Sequence, residues 1–157
     1  MDDKIVLAAV GLASTIISKC KIIPIPSYKK ANKARRAALT GEWDAKGQQT
    51  FNKGKVPFTG NISIKIAGKY LIMEGDYLTV INDIKYEFHL KGKGGLLNDR
   101  FIRAEYETTH EGEIQFGSTI LEIKPNGKTL EGKFVGFGSV SEEIVLGKVK
   151  LTKNEAQ

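Results

Sequence analysis

Hydrophobic and polar positions change their period once along this chain, near residue 40. Beyond that point apolar side chains alternate with polar ones: Ile62, Ile64 and Ile66 against Ser63 and Lys65, then Ile84, Tyr86, Phe88 and Leu90 against Lys85, Glu87 and His89, then Val145, Val149 and Leu151. A period of two sends successive side chains to opposite sides of a strand, so each segment has a dry face and a wet one. The pattern predicts strands over 40–51, 57–67, 69–73, 76–81, 83–91, 99–107, 113–124, 128–138 and 142–152; the third and fourth merge across Glu74-Gly75-Asp76 into one bent strand, which gives eight. Asn126-Gly127 is expected to form a two-residue type I′ hairpin, whose central residues both need positive φ, and Asn82-Asp83 offers a similar link. No segment after residue 40 has the pattern of a three-turn helix, so crossover connections between parallel strands are excluded. The expected architecture is an all-β, eight-stranded antiparallel up-and-down β-barrel, since closure removes the edges an open meander exposes. Gly132, Gly136 and Gly147 fall inside strands, where a closed sheet has to bend.

Before residue 40 the pattern is helical. Residues 5–18 form an uncharged run of 14 residues. As a helix such a run covers about 21 Å, whereas the hydrocarbon core is about 30 Å thick. A span requires the helix to continue through Ile22 and Ile23 toward Pro24, with Lys19 and Lys21 snorkelling to the headgroups. Three readings stand: an N-terminal transmembrane or membrane-inserting helix, an interfacial or self-associating helix, and a cleaved signal. Pro24 and Pro26 end the segment, and Ser27 is positioned to cap a second helix over 28–39. The expected organisation is an apolar membrane helix over 1–26, a basic connector helix over 27–39 and a β-barrel ligand-binding domain over 40–157.

Charge sharpens this picture. The net +6 is local: residues 19–36 carry seven basic side chains and no acid, while residues 37–157 hold 16 of each sign. Basic residues following an apolar helix mark the cytoplasmic flank of a membrane segment, which is expected to leave the barrel on the cytoplasmic side of the bilayer. A solvated helix carries the same charges. Aromatic residues do not interleave these lysines, so a nucleic-acid polymer is not the expected partner. The single cysteine, Cys20, excludes an intramolecular disulfide framework and zinc-ligand spacing; it is either a buried thiol or a lipidation site. Neither a phosphate-binding Walker loop nor a metalloprotease or serine-hydrolase motif is present, so no turnover, cofactor or metal is expected. His89 and His110 are expected at the surface, and Lys91-Gly-Lys-Gly-Gly95 as a hairpin loop.

The tripeptide Gly41-Glu42-Trp43 resembles the Gly-x-Trp opening of lipocalin-like and avidin-like barrels, in which that Trp plugs one end. Together with the apolar N-terminus, the basic connector and the closing runs Thr129-Leu-Glu-Gly-Lys-Phe-Val-Gly-Phe-Gly138 and Ile144-Val-Leu-Gly-Lys-Val-Lys-Leu151, the chain resembles the membrane-anchored β-barrel effectors of CBASS, the bacterial cyclic-oligonucleotide anti-phage system. That resemblance implies a cytoplasmic barrel that receives a cyclic dinucleotide, self-associates as a homo-oligomer and breaches the inner membrane bilayer. The family carries two spans before its barrel, whereas this chain offers one short run. A cyclic dinucleotide presents two phosphates and two flat bases, so its site needs cations or donors and aromatic faces. Arg103 is the candidate for phosphate, Tyr106, Tyr86 and Trp43 for stacking or lining, and Gln49 and Thr119 for polar readout. Competing roles are an outward ion pair of Arg103 with Glu105 or Glu87, and core packing of Trp43 and Tyr86. For the whole chain the alternatives are a secreted or soluble lipocalin-like carrier of a small apolar ligand, and an oligomerisation barrel with a filled interior.

Overall fold

A computed structural model describes residues 27–51, 54–110, 113–138, 140 and 142–154. Eight strands follow one short helix: α1 (Lys33–Leu39), β1 (Gly41–Phe51), β2 (Gly54–Ala67), β3 (Tyr70–Ile81), β4 (Ile84–Leu96), β5 (Phe101–His110), β6 (Glu113–Ile123), β7 (Thr129–Gly138) and β8 (Glu143–Lys153). Each strand pairs antiparallel with the next, and β8 returns to β1 in a ladder from Trp43↔Lys153 to Gln49↔Gly147. The expected closed, antiparallel eight-stranded barrel is therefore the fold, and β3 runs unbroken through Glu74-Gly75-Asp76.

Alternation sets the inner wall. Ile62, Ile64, Leu71, Met73, Ile102, Ala104, Leu121, Leu130 and Leu151 are buried, and their sequence neighbours Lys65, Glu74, Glu105 and Lys150 are exposed. The main apolar core fills the half of the barrel nearest α1, where Leu39 and Trp43 are both 0 % exposed. Trp43 plugs that end, and its indole Nε1 donates to the Leu39 carbonyl at 3.0 Å. Lys153, at the end of β8, donates from Nζ to the carbonyls of Ala37 (2.9 Å) and Ala38 (2.7 Å). A cation there satisfies helix carbonyls that lack intrahelical partners and opposes the negative end of the helix dipole.

Three local expectations are corrected. The connector helix starts at Lys33, capped by Asn32, whose Oδ1 accepts from Arg35 N at 2.8 Å; it does not start after Ser27. The preceding residues are held extended instead: Lys29 N donates to Leu96 O at 2.8 Å, and Tyr28 meets Tyr70 edge to face with centroids 6.3 Å apart. The Asn126-Gly127 hairpin forms, but its turn lies one residue earlier, with Gly127 N donating to Lys124 O at 2.9 Å. Pro125 explains the shift, since its fixed φ suits the second position of a type I turn; Gly127 then takes the left-handed conformation at φ 67°. Positive φ at two consecutive residues occurs at Asn82 (51°) and Asp83 (65°), so the two-residue primed turn is the β3–β4 link. Finally, Lys91-Gly-Lys-Gly-Gly95 is strand rather than loop: it lies within β4 and pairs with Glu107 through Arg103. A Cβ on Gly95 would stand 2.4 Å from Tyr28 Cγ, so that glycine lets the N-terminal segment lie against the sheet.

Among the described residues no helix is long and apolar enough to cross a membrane, and the expected span over 1–26 lies outside them.

Candidate ligand-binding site

Above the apolar plug the inner wall becomes aromatic. Phe58 of β2 meets Tyr77 of β3 (centroids 5.5 Å) and Phe134 of β7 (5.8 Å), both edge to face. Tyr77 stacks on Phe88 of β4 at 4.8 Å, and Tyr106 of β5 approaches Phe134 at 6.2 Å. These rings line the wall because their neighbours on adjacent strands are glycines: Gly47 pairs with Phe58, Gly92 with Tyr106 and Gly147 with Phe134. A Cβ on Gly147 would stand 2.1 Å from the Phe134 ring, so the missing side chain is the space the ring occupies.

The rings leave a cavity of about 80 Å³. Its floor is Ala45, Ile62, Leu121 and Leu151, and its polar groups are Gln49, Gln115, Thr119 and the Tyr77 and Tyr106 phenols. None of the lining residues carries a full charge. Burial pushes the Tyr77 hydroxyl up to about 12, partly offset by Thr108 beside it, and pushes Tyr106 higher still. Both phenols therefore stay protonated and serve as neutral hydrogen-bond donors. Thr119 Oγ1 donates to the Lys133 carbonyl at 3.1 Å, leaving its lone pairs available. Thr108 Oγ1 is buried without a hydrogen bond of ordinary geometry, an uncompensated cost unless a guest or water meets it. At the mouth, Tyr86 and Phe88 lie beside His110, with centroids 5.3 and 5.0 Å from its ring.

Of the residues singled out from sequence, Gln49, Tyr106 and Thr119 converge on this cavity. Tyr86 is on the inner face at the mouth, stacked toward Phe88 at 6.4 Å. Trp43 lies below as the plug. Arg103 is not brought to the cavity: it is on the outer face of β5, where its guanidinium donates to Glu105 Oε1 at 2.9 Å, and that bond and charge hold it more firmly protonated. Alternation along 101–108 contains the signal for this, since Ile102, Ala104 and Thr108 are buried and Arg103 is one residue out of phase. His89 is on the outer face as expected, with Nδ1 2.8 Å from Asp76 Oδ1. Phe58, Tyr77, Phe134, Thr108 and Gln115 were missed, although their alternation with outward residues marks them as inward-facing. Among the described residues no cluster could hold a metal ion. No protein-family model and no curated protein matches the chain.

Proposed function

We propose that this chain is a membrane-anchored sensor and effector of the CBASS type, whose barrel binds a cyclic dinucleotide without turning it over, self-associates and disrupts the inner membrane in anti-phage defence. The observation that carries the reading is the polarity of the barrel. One end has an aromatic interior with neutral hydrogen-bonding groups; the other is plugged and bears the basic segment Lys29, Lys30, Lys33, Arg35 and Arg36. Flat heteroaromatic bases suit the first end, because aromatic side chains stack on them while amide and hydroxyl groups meet their edges. Anionic headgroups suit the second, at roughly 1 kcal/mol per basic residue near the surface. A chain tethered through residues 1–26 then turns its mouth toward the cytoplasm, where a soluble ligand arrives.

Size constrains the binding mode. Pockets for drug-sized ligands are about 300–1,000 Å³, so a cavity of about 80 Å³ accepts one base edge and leaves the sugar–phosphate ring at the mouth. Calorimetry of the full-length chain in neutral detergent against a panel of cyclic dinucleotides tests this. Saturable binding of one member, lost in Tyr106→Ala, is expected; no heat from any member refutes it.

The uncharged lining and small volume also favour a second reading, a soluble or secreted carrier of a small apolar ligand. Cell fractionation with N-terminal sequencing separates the two. A sensor keeps Met1 to Lys4 and sediments with membranes; a carrier loses residues 1–26 and does not.

A further inference from the structure

The outer face of β7, β8 and β1 carries cations that no acid among the described residues pairs with. Across the sheet, Ile120 of β6, Lys133 of β7, Lys148 of β8 and Gln48 of β1 stand in one row, with Lys133 and Lys148 directly opposed. Like charges directly opposite on neighbouring strands are destabilising. The next row toward the mouth holds Ser118, Val135 and Leu146, and Thr50 bridges to it by accepting from Leu146 N at 2.9 Å; Lys55 pairs with Thr50 from β2. The acids available nearby are engaged in the row below. Glu131 is held by Lys124 at 3.2 Å and Lys150 at 3.5 Å, and Glu122 by Lys124 at 2.8 Å and by Arg100. Lys55, Lys133 and Lys148 are exposed and make no ion pair among the described residues.

These lysines border a groove of about 750 Å³ that shares Gln49 and Phe134 with the inner cavity. Glu122 and Glu131 also line it, each already held by Lys124, and its apolar strip is open to solvent: Ile120 is 50 % exposed, Val135 43 % and Leu146 56 %. Such a surface combines three cations without an ion pair among the described residues, the hydroxyl of Thr50, the amide of Gln48 and a flat apolar strip. Its volume falls in the range for a whole small ligand.

We propose that this groove is a binding site for a phosphodiester that carries an apolar or planar substituent, with Lys133 and Lys148 on the phosphate and Ile120, Val135 and Leu146 against the substituent. Two sources share that chemistry, a soluble cyclic dinucleotide and a lipid headgroup; only the first rests on the sensor reading above.

Two probes separate them: cyclic di-AMP and glycerophosphoglycerol, the soluble headgroup of phosphatidylglycerol, each titrated into the full-length chain in neutral detergent at low salt. The double substitution Lys133→Gln with Lys148→Gln relieves a like-charge pair on the surface, so it is expected to melt no lower than the wild type while weakening at least one probe tenfold or more. Loss of cyclic di-AMP alone assigns the soluble source, and loss of glycerophosphoglycerol assigns the lipid. Affinity for both probes within twofold of the wild type overturns the proposal, as does absence of measurable binding of either to the wild type. Tyr106→Ala keeps the tests distinct: if it abolishes cyclic di-AMP binding while the lysine variant binds both probes normally, the outer site falls and the inner one stands.

Discussion

Replacing Leu39 by alanine tests whether the N-terminal segment is part of the barrel or only attached to it. Leu39 is 0 % exposed, and its carbonyl accepts the Trp43 indole N–H at 3.0 Å. Alanine keeps that carbonyl and is the best helix former, so the substitution isolates side-chain packing. Three carbons leave a closed site, each worth about 0.8 kcal/mol of transfer free energy, and a cavity term adds to them. The expected cost is about 3–4 kcal/mol, a large part of the roughly 5–15 kcal/mol that stabilises an ordinary domain. Urea unfolding followed by fluorescence is a direct assay, because Trp43 is the single tryptophan and sits against the mutated site. The midpoint should fall with an unchanged slope. A cost below about 1 kcal/mol would mean that α1 does not seal the barrel, and that the closed end is not formed as described.

Other consequences follow from the same contacts. Lys153→Met removes the donor to Ala37 and Ala38 while keeping the aliphatic stem, and should cost about 1 kcal/mol in the same unfolding assay. Tyr77 and Tyr106 have folded-state pKa values raised above the unfolded value near 10. Their contribution to stability is therefore complete below pH 10 and declines as the pH rises toward 12 and beyond; spectrophotometric titration should show two of the five tyrosines ionising late, and only with unfolding. Arg103→Ala removes an exposed pair with Glu105 and should change stability by less than about 0.5 kcal/mol, leaving any ligand of the inner cavity bound with unaltered affinity.

The barrel was legible in the sequence because burial on one face imposes a period of two, and residues such as Ile62, Ile64 and Ile66 state that period without ambiguity. What escaped depended on partners distant in sequence. Nothing local shows that Lys29 pairs with Leu96, so the helix was expected to begin at Tyr28, five residues before its actual first residue Lys33, rather than behind an extended stretch. Lys91-Gly-Lys-Gly-Gly95 has the composition of a loop, but its glycines answer to Tyr28 and Ala104 packing closely on the strand. The cavity was half legible: Gln49, Tyr106 and Thr119 were found, and Phe58, Tyr77 and Phe134 are in phase with the buried residues of their strands, but that their rings converge shows only once the glycines beside them are placed on neighbouring strands. Arg103 was singled out for its charge, and its phase in the alternation puts that charge outside.

Filling the cavity is the most direct test of the account. Ala45 forms part of its floor, and Ala45→Leu adds three carbons to a space of about 80 Å³. Calorimetric titration with the cyclic dinucleotide that the wild type binds should show a loss of tenfold or more for this variant, with its far-ultraviolet spectrum and cooperative melting retained. Equal affinity in the folded variant and the wild type would contradict the claim that the barrel interior receives the ligand.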